Sequence, residues 1–189
     1  MPRSCARRDD SGWSSPASAS SSSRESKRGT VLGIRSGGME DEAVVARQLG
    51  RPPRAFRRVA VRCPYGRPAV SEQWPRDEAG APFPTTFYIT CPQLVAAISR
   101  LEAAGGVERW TQAVRDDPVL VESLERANEE QRRLRPELPG GIGGSTRSGS
   151  LKCLHAHAAF ALARPGYELG ERILAELDAL WPDSRCCTA

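Results

Sequence analysis

The sequence predicts an α+β domain, in which a small antiparallel sheet of two or three strands packs with four or five helices. Two observations predict this class. Short runs rich in β-branched and aromatic residues, separated by Pro- and Gly-rich turns, occupy residues 57–90. After residue 91, apolar side chains recur at the three- and four-residue spacing of amphipathic helices.

The chain divides into a predicted disordered leader (residues 1–38), one compact domain (residues 39–183) and a C-terminal tail (residues 184–189). The leader contains eleven serines and few large apolar side chains, a composition that cannot bury enough surface to offset chain entropy. Either Met39 is the natural start and the leader is an over-extended reading frame, or the leader is a genuine tail. N-terminal sequencing of the native protein distinguishes the two.

Three strands are predicted from local patterning. Residues 57–63 alternate between apolar and polar side chains and are followed by a turn cluster at residues 64–68. Residues 69–74 form the returning strand. A Gly- and Pro-rich loop then leads to residues 85–90, the segment richest in strand-forming residues.

The predicted helices are bounded by Gly and Pro signals. Pro92 and Pro118 suit the first turns of two of them, and Asp117 is a suitable N-cap. Between these two helices only a short segment around Trp110 and Val114 is predicted. The five helices run from Met39 to Gly50, from Cys91 to Gly105, from Asp117 to Arg135, from about Ser150 to Ala163, and through Leu169, Ile173, Leu177 and Leu180.

The net charge of +4 belongs to the leader, since residues 39–189 carry 20 basic and 20 acidic side chains. A neutral domain argues against nucleic acid as its partner.

The sequence contains no run of about 18 apolar residues, so no membrane span is predicted. No apolar stretch follows Met1, as one would in a secretory signal. We therefore expect a cytoplasmic protein with reduced thiols. Arginine outnumbers lysine 25 to 2, which indicates a high-GC coding bias.

Three motifs in order resemble the bacterial "domain of unknown function 501" family. They are residues 62–70 (RCPYGRPAV), residues 80–92 (GAPFPTTFYITCP) and residues 151–156 (LKCLHA). The resemblance extends from about Ala43 to Leu180. It implies one compact domain, found mainly in high-GC bacteria and often encoded near cell-division and polyphosphate-metabolism genes, but it implies no activity. The family often has a histidine where this chain has Asn128.

Cysteine and histidine side chains are candidate zinc ligands, because zinc takes four tetrahedral N or S ligands. Cys153 and His157 share a face of the predicted helix. His155 lies about 200° around a regular helix from Cys153 and joins it only if the helix has not yet begun. The alternative is that these cysteines are small buried core residues. The candidate ligands are Cys63, Cys91, Cys153, His155 and His157.

Thiol chemistry is a second alternative. Cys91 and Cys153 lie at predicted helix N-termini, where the helix dipole stabilises a thiolate. A nucleophilic cysteine paired with a histidine fits that placement. No acid that would orient the histidine is recognisable in the sequence.

The glycine-rich segment 140–152 leads into a helix N-terminus, and such a loop offers backbone N–H groups to a phosphate. It matches neither a Walker A motif nor a Rossmann fingerprint. The alternative is a plain linker between two helices. The candidate phosphate-binding residues are Gly143, Gly144, Ser145, Arg147, Ser148 and Lys152.

A cluster of arginines lies between residues 51 and 67. It fits either a basic face that touches RNA or phosphate, or the solvated side of a strand in an arginine-rich chain. The six arginines are Arg51, Arg54, Arg57, Arg58, Arg62 and Arg67.

These features support two hypotheses of function. The first is a non-enzymatic domain that acts by binding a protein partner, either with or without stabilisation by a metal such as zinc through its cysteines and histidines. The alternative is a phosphate- or nucleotide-binding enzyme that uses the glycine loop together with Cys153 and His155. No carboxylate pair or catalytic triad is recognisable, and the sequence leaves open whether the protein is an enzyme.

Overall fold

The structure is a computed structural model that describes residues 36–147 and 149–187, with side chains from Gly38 onward. Most of the predicted leader and Ser148 lie outside the described residues. The elements are α1 (Ser36–Leu49), β1 (Phe56–Arg62), β2 (Pro68–Gln73), β3 (Phe87–Ile89), α2 (Pro92–Ala103), α3 (Gly106–Asp116), α4 (Pro118–Leu134), a 3₁₀ turn (Ile142–Gly144), α5 (Leu154–Ala163) and α6 (Glu168–Ala175).

The predicted α+β class is confirmed, with one antiparallel sheet of order β1-β2-β3. Within the described residues there are six α-helices rather than four or five. The additional helix is α3, where Trp110 and Val114 bury one face four residues apart. Gly105, in the left-handed conformation with φ of 79°, separates α3 from α2.

Two helix starts differ from the predictions. Helix α1 begins at Ser36, three residues before Met39. Helix α5 begins at Leu154 rather than near Ser150, because Cys153 is an extended N-cap with φ of −163°. The residues before it form a loop tied by its own side chains, since Ser145 Oγ donates to the carbonyl of Ser150 at 3.0 Å.

Strand β2 is the centre of the sheet and is buried at all six positions. It pairs with β1 through an irregular register and with β3 through a regular one, in which Val70 faces Ile89 and Glu72 faces Phe87. Strand β3 is thus an edge strand of the described sheet.

Helix α5 fills the core against β3 and α6. It is apolar on all sides, as expected of a buried helix. Its Phe160 ring meets Phe87 of β3 and Tyr167, just before α6, edge to face at centroid distances of 5.6 and 5.8 Å. This packing places the N-terminus of α5 beside β3 and α2, and that junction holds the candidate site.

No helix in the described residues combines the length and the apolar character needed to cross a membrane.

Candidate functional site

Cys153 and His155 meet at the start of α5. Because Cys153 is extended and the helix begins one residue later, the two side chains point the same way rather than 200° apart. Cys153 Sγ lies 3.6 Å from His155 Nδ1. The sequence predicted that these two residues can act together only if the helix begins after Cys153, and the structure meets that condition.

Glu102, from the last turns of α2, completes the cluster and was not predicted. Its Oε1 lies 3.2 Å from His155 Nδ1 and accepts the Leu154 backbone N–H at 2.6 Å. The potential ligand atoms of Glu102, Cys153 and His155 all lie within 4.8 Å of one another. The only sequence feature that points to Glu102 is that Val95, Ser99 and Glu102 share one face of α2. The sequence around them does not indicate which other element packs against that face.

The spacing of these atoms suits a tetrahedral zinc ion. Zn–S, Zn–N and Zn–O bonds of about 2.3, 2.05 and 2.1 Å at tetrahedral angles place S about 3.6 Å from N and N about 3.4 Å from O. The observed distances are 3.6 Å for Cys153 Sγ to His155 Nδ1 and 3.2 Å for His155 Nδ1 to Glu102 Oε1. Three ligands of mixed N, S and O type leave a fourth position open.

The contacts of the second imidazole nitrogen, Nε2, determine the tautomer of His155. His155 Nε2 lies 3.3 Å from the carbonyl oxygen of Val95 and 3.3 Å from Ser99 Oγ. A carbonyl can only accept, so Nε2 carries the proton and donates. In the neutral ring, the lone pair of Nδ1 then faces a thiol and a carboxylate oxygen, and either a proton or a metal ion must lie between these atoms. A carbonyl behind a ligating histidine is the usual arrangement at metal sites.

The cluster borders a pocket of about 240 Å³. Cys153 and His155 form one wall, and the edge of β3 forms another. The remaining surface is mainly apolar. The lining residues are Thr85, Phe87, Tyr88, Ile89, Val95, Cys153, His155 and Ala156.

Cys63 and Cys91 lie apart from this cluster. Cys63 is buried at the turn after β1, where its N–H donates to the carbonyl of Arg67. Cys91 is the N-cap of α2, and its Sγ lies 3.6 Å from the Sγ of Cys187. Cys186 and Cys187, in the predicted C-terminal tail, thus lie on a segment that returns to the domain, where Cys186 is buried.

His157 is a core residue. It is buried, and its Nδ1 lies 2.7 Å from the hydroxyl of Tyr167. Burial lowers the pKa of His157 to about 4 and raises the pKa of the Tyr167 hydroxyl. The tyrosine therefore donates to a neutral imidazole at pH 7.

Both candidate nucleophiles are held as thiols. Burial raises the pKa of Cys153, and the charge of Glu102 raises it further. Burial also raises the pKa of Cys91 to about 11, and its contact with Cys187 adds to the increase. Desolvation outweighs the helix dipole at both positions, so Cys91 and Cys153 are thiols rather than thiolates at pH 7 in the metal-free protein.

The predicted phosphate-binding residues are largely occupied by the loop itself. Lys152 Nζ donates to the carbonyl of Gly144 at 2.7 Å, and Ser145 Oγ donates to loop carbonyls. Gly143 and Gly144 are left-handed, with φ of 66° and 69°. Arg147 lines a polar pocket of about 540 Å³, which also contains the carboxylates of Glu125 and Glu129. Ser148 lies outside the described residues.

The arginine cluster is largely neutralised by acids. Arg57 and Arg58 both pair with Glu72, at 2.7 and 2.6 Å. Arg62 pairs with Asp41 at 2.6 Å, and Arg54 pairs with Asp77. This pairing supports a solvated strand face rather than a basic binding surface.

Comparison with protein families finds a match for residues 59–140, to the family described as "Protein of unknown function (DUF501)". This segment of the chain is similar to that family. The resemblance inferred from the sequence is thereby confirmed for a segment that runs from within β1 to the loop after α4. Of the cluster, the matched segment contains Glu102, while Cys153 and His155 follow it. Neither the comparison with curated proteins nor that with solved structures finds a match.

Proposed function

We propose that this protein is a zinc-binding domain in which Glu102, Cys153 and His155 hold the ion. The observation that carries the proposal is the convergence of the three potential ligand atoms within 4.8 Å. The mixed donor set favours zinc over hard cations such as Mg²⁺ and Ca²⁺, which select oxygen ligands. The ion would join α2 to the start of α5.

Of the five sequence-predicted ligands, the proposal retains Cys153 and His155. Cys63, Cys91 and His157 make other contacts in the structure, and Glu102 takes the third position. Cys153 and His155 also line the pocket beside β3, so a fourth ligand would reach the ion from that pocket, which supports a binding role rather than a closed structural site. We keep the expectation of a cytosolic bacterial protein, because a zinc thiolate site needs reduced cysteine.

Zinc titration of tag-free, chelator-treated protein against a chromophoric competitor tests the proposal. We expect one ion per chain, with affinity that falls as the pH is lowered because the ligands must lose protons. Cys153→Ser, His155→Gln and Glu102→Gln should each weaken binding by about 100-fold, since even loss of an outer-shell partner costs 10–100-fold. Cys187→Ser, which removes an exposed thiol outside the cluster, is the matched control and should bind zinc normally.

Glu102→Gln separates a metal role from a structural one. The amide oxygen still accepts the Leu154 N–H, so the helix start keeps its hydrogen bond while the charged ligand is lost. Zinc binding that survives both Glu102→Gln and Cys153→Ser would refute the site. So would wild-type protein that takes up no zinc, in which case a shared proton explains the cluster.

The second candidate function is binding of a phosphate-bearing ligand in the polar pocket along the glycine loop. Arg132 and Arg147 line that pocket. Glu125 and Glu129 oppose an anion there, so this function ranks below zinc binding. A nucleotide or polyphosphate that raises the melting temperature of the wild type but not of Arg147→Ala would reverse that order.

A further inference from the structure

The backbone of β3 presents unpaired groups to the pocket. The Gln73 N–H donates to the Thr86 carbonyl at 2.8 Å, and the Thr90 N–H donates to the Ala69 carbonyl at 2.9 Å. Antiparallel pairing alternates, so residues 86, 88 and 90 face β2. The N–H and C=O of Phe87 and Ile89 therefore point to the free edge.

These edge groups find no hydrogen-bond partner among the described residues. Phe87 and Ile89 are only 5% and 3% exposed. Unpaired backbone groups at such buried positions are rare, because each one costs free energy comparable to a lost hydrogen bond. Both residues line the pocket, so the pocket contains a donor–acceptor pair at each of two positions on β3.

The charge of the cluster restricts what the fourth metal position can take. A zinc ion with one thiolate, one carboxylate and a neutral imidazole has a formal charge of zero. Binding a carboxylate or a phosphate there would create a net negative charge beside an apolar pocket, which is costly. A neutral oxygen donor, such as an amide carbonyl, carries no such cost.

We propose, on the basis of the zinc site proposed above, that the pocket binds one uncharged residue of an extended apolar polypeptide segment. Its carbonyl oxygen takes the fourth position on zinc. Its neighbouring amide exchanges hydrogen bonds with Phe87 or Ile89, as an added antiparallel strand does. An apolar side chain packs against Val95 and Ala156.

The size of the pocket supports this ligand class. A volume of about 240 Å³ is below the roughly 300–1,000 Å³ typical of sites for drug-sized ligands. It accommodates a single residue, while the rest of the segment runs along the strand edge. A short edge strand provides few hydrogen bonds, so the metal contact is needed for affinity.

Calorimetric titration of zinc-loaded full-length protein with synthetic ligands tests the inference. The probe is acetyl-Ala-Ala-Leu-Ala-Ala-amide. We expect it to bind at least tenfold more tightly than the small ligand acetyl-Leu-amide, because only the peptide extends along β3. We also expect acetyl-leucine with a free carboxylate to bind at least tenfold more weakly than acetyl-Leu-amide.

A probe methylated at the leucine and following amide nitrogens should lose at least tenfold in affinity, since it cannot donate to the β3 edge. Val95→Phe should reduce peptide binding by filling the pocket, and zinc content is measured in each sample. Val119→Phe on α4, at a site 54% exposed, is the matched control and should leave peptide binding unchanged.

Equal binding of the methylated probe, or tighter binding of the free carboxylate, would overturn the inference while leaving the zinc site intact. Stoichiometric zinc without any peptide binding would also overturn it. Absence of zinc from the wild-type protein would instead count against the proposed function, so the two failures are distinct.

Discussion

His157 shows how burial determines what a titratable residue does. Its imidazole projects from α5 and is buried. The centroids of the His157 and Tyr167 rings lie 6.1 Å apart. Its Nδ1 accepts from the tyrosine hydroxyl, while Nε2 has no hydrogen-bond partner in the described residues. Protonation would place a charge with no carboxylate contact in the core, so the folded state keeps His157 neutral.

This burial predicts an acid-sensitive fold. The pKa of His157 is about 4 in the folded state and about 6.5 in the unfolded chain. Between pH 6.5 and 4 only the unfolded state takes up the proton, so stability is lost as the pH falls through that window. We expect a loss of about 2 kcal/mol between pH 7 and 5 from this residue.

Urea denaturation at pH 7 and pH 5 measures that loss. His157→Phe, which cannot titrate, should show a pH dependence smaller by about the same amount. With all samples metal-free, His155→Gln, at a half-buried position, is the matched control and should retain the steep dependence due to His157. A pH dependence unchanged in His157→Phe would contradict the assignment.

At the scale of elements, α5 and α6 are held close together by a glycine. A Cβ atom at Gly170 would lie 2.6 Å from Ala161 Cβ and 2.8 Å from the carbonyl oxygen of His157. The helix backbones approach so closely because α5 is built largely of alanine at this interface.

Gly170→Ala should therefore destabilise the protein by about 2 kcal/mol or more, since overpacking a core contact costs about 1–3 kcal/mol. Gly38→Ala is the matched control, because Gly38 lies in α1 with nothing within 4 Å of the added Cβ. Alanine is the better helix former, so that variant should be neutral or slightly more stable. Thermal unfolding compares the two, and equal melting temperatures would contradict the close approach.

At the scale of the whole molecule, Arg135 ties the sheet to the helices. It follows α4 and is 2% exposed. Its guanidinium donates to the carbonyls of Gln73 at 2.7 Å, Thr85 at 3.2 Å and Phe83. One side chain thus satisfies carbonyls at the end of β2 and along the segment that leads into β3. Burial lowers its pKa to about 10, so the group remains charged at pH 7.

Arg135→Met should cost about 3 kcal/mol or more, because several buried carbonyls lose their donor at once. Arg133→Met is the matched control. Arg133 is an exposed partner of Glu129 in an i,i+4 pair, and loss of such a pair costs less than about 1 kcal/mol. Chemical denaturation of both variants checks the prediction, and a similar small loss in each would contradict the role of Arg135.

Local patterning was sufficient to predict most of the fold. The three strands and five of the six helices follow from turn residues and from apolar spacing, because these signals act within a few residues. Helix α3 was predicted only as a short segment, because Trp110 and Val114 alone mark its buried face and the glycines before it obscure its start. The start of α5 was placed too early because the extended conformation of Cys153 depends on the loop before it.

The sequence by itself determined only the condition under which Cys153 and His155 act together, namely that the helix begins after Cys153, and the structure showed that it does. It also determined that the charge excess lies outside the domain. Only the tertiary structure decided that Glu102, 52 residues before Leu154, caps the same helix start. Contacts of that kind depend on how α2 packs against α5, and no spacing along the chain encodes the face that each helix presents to the other.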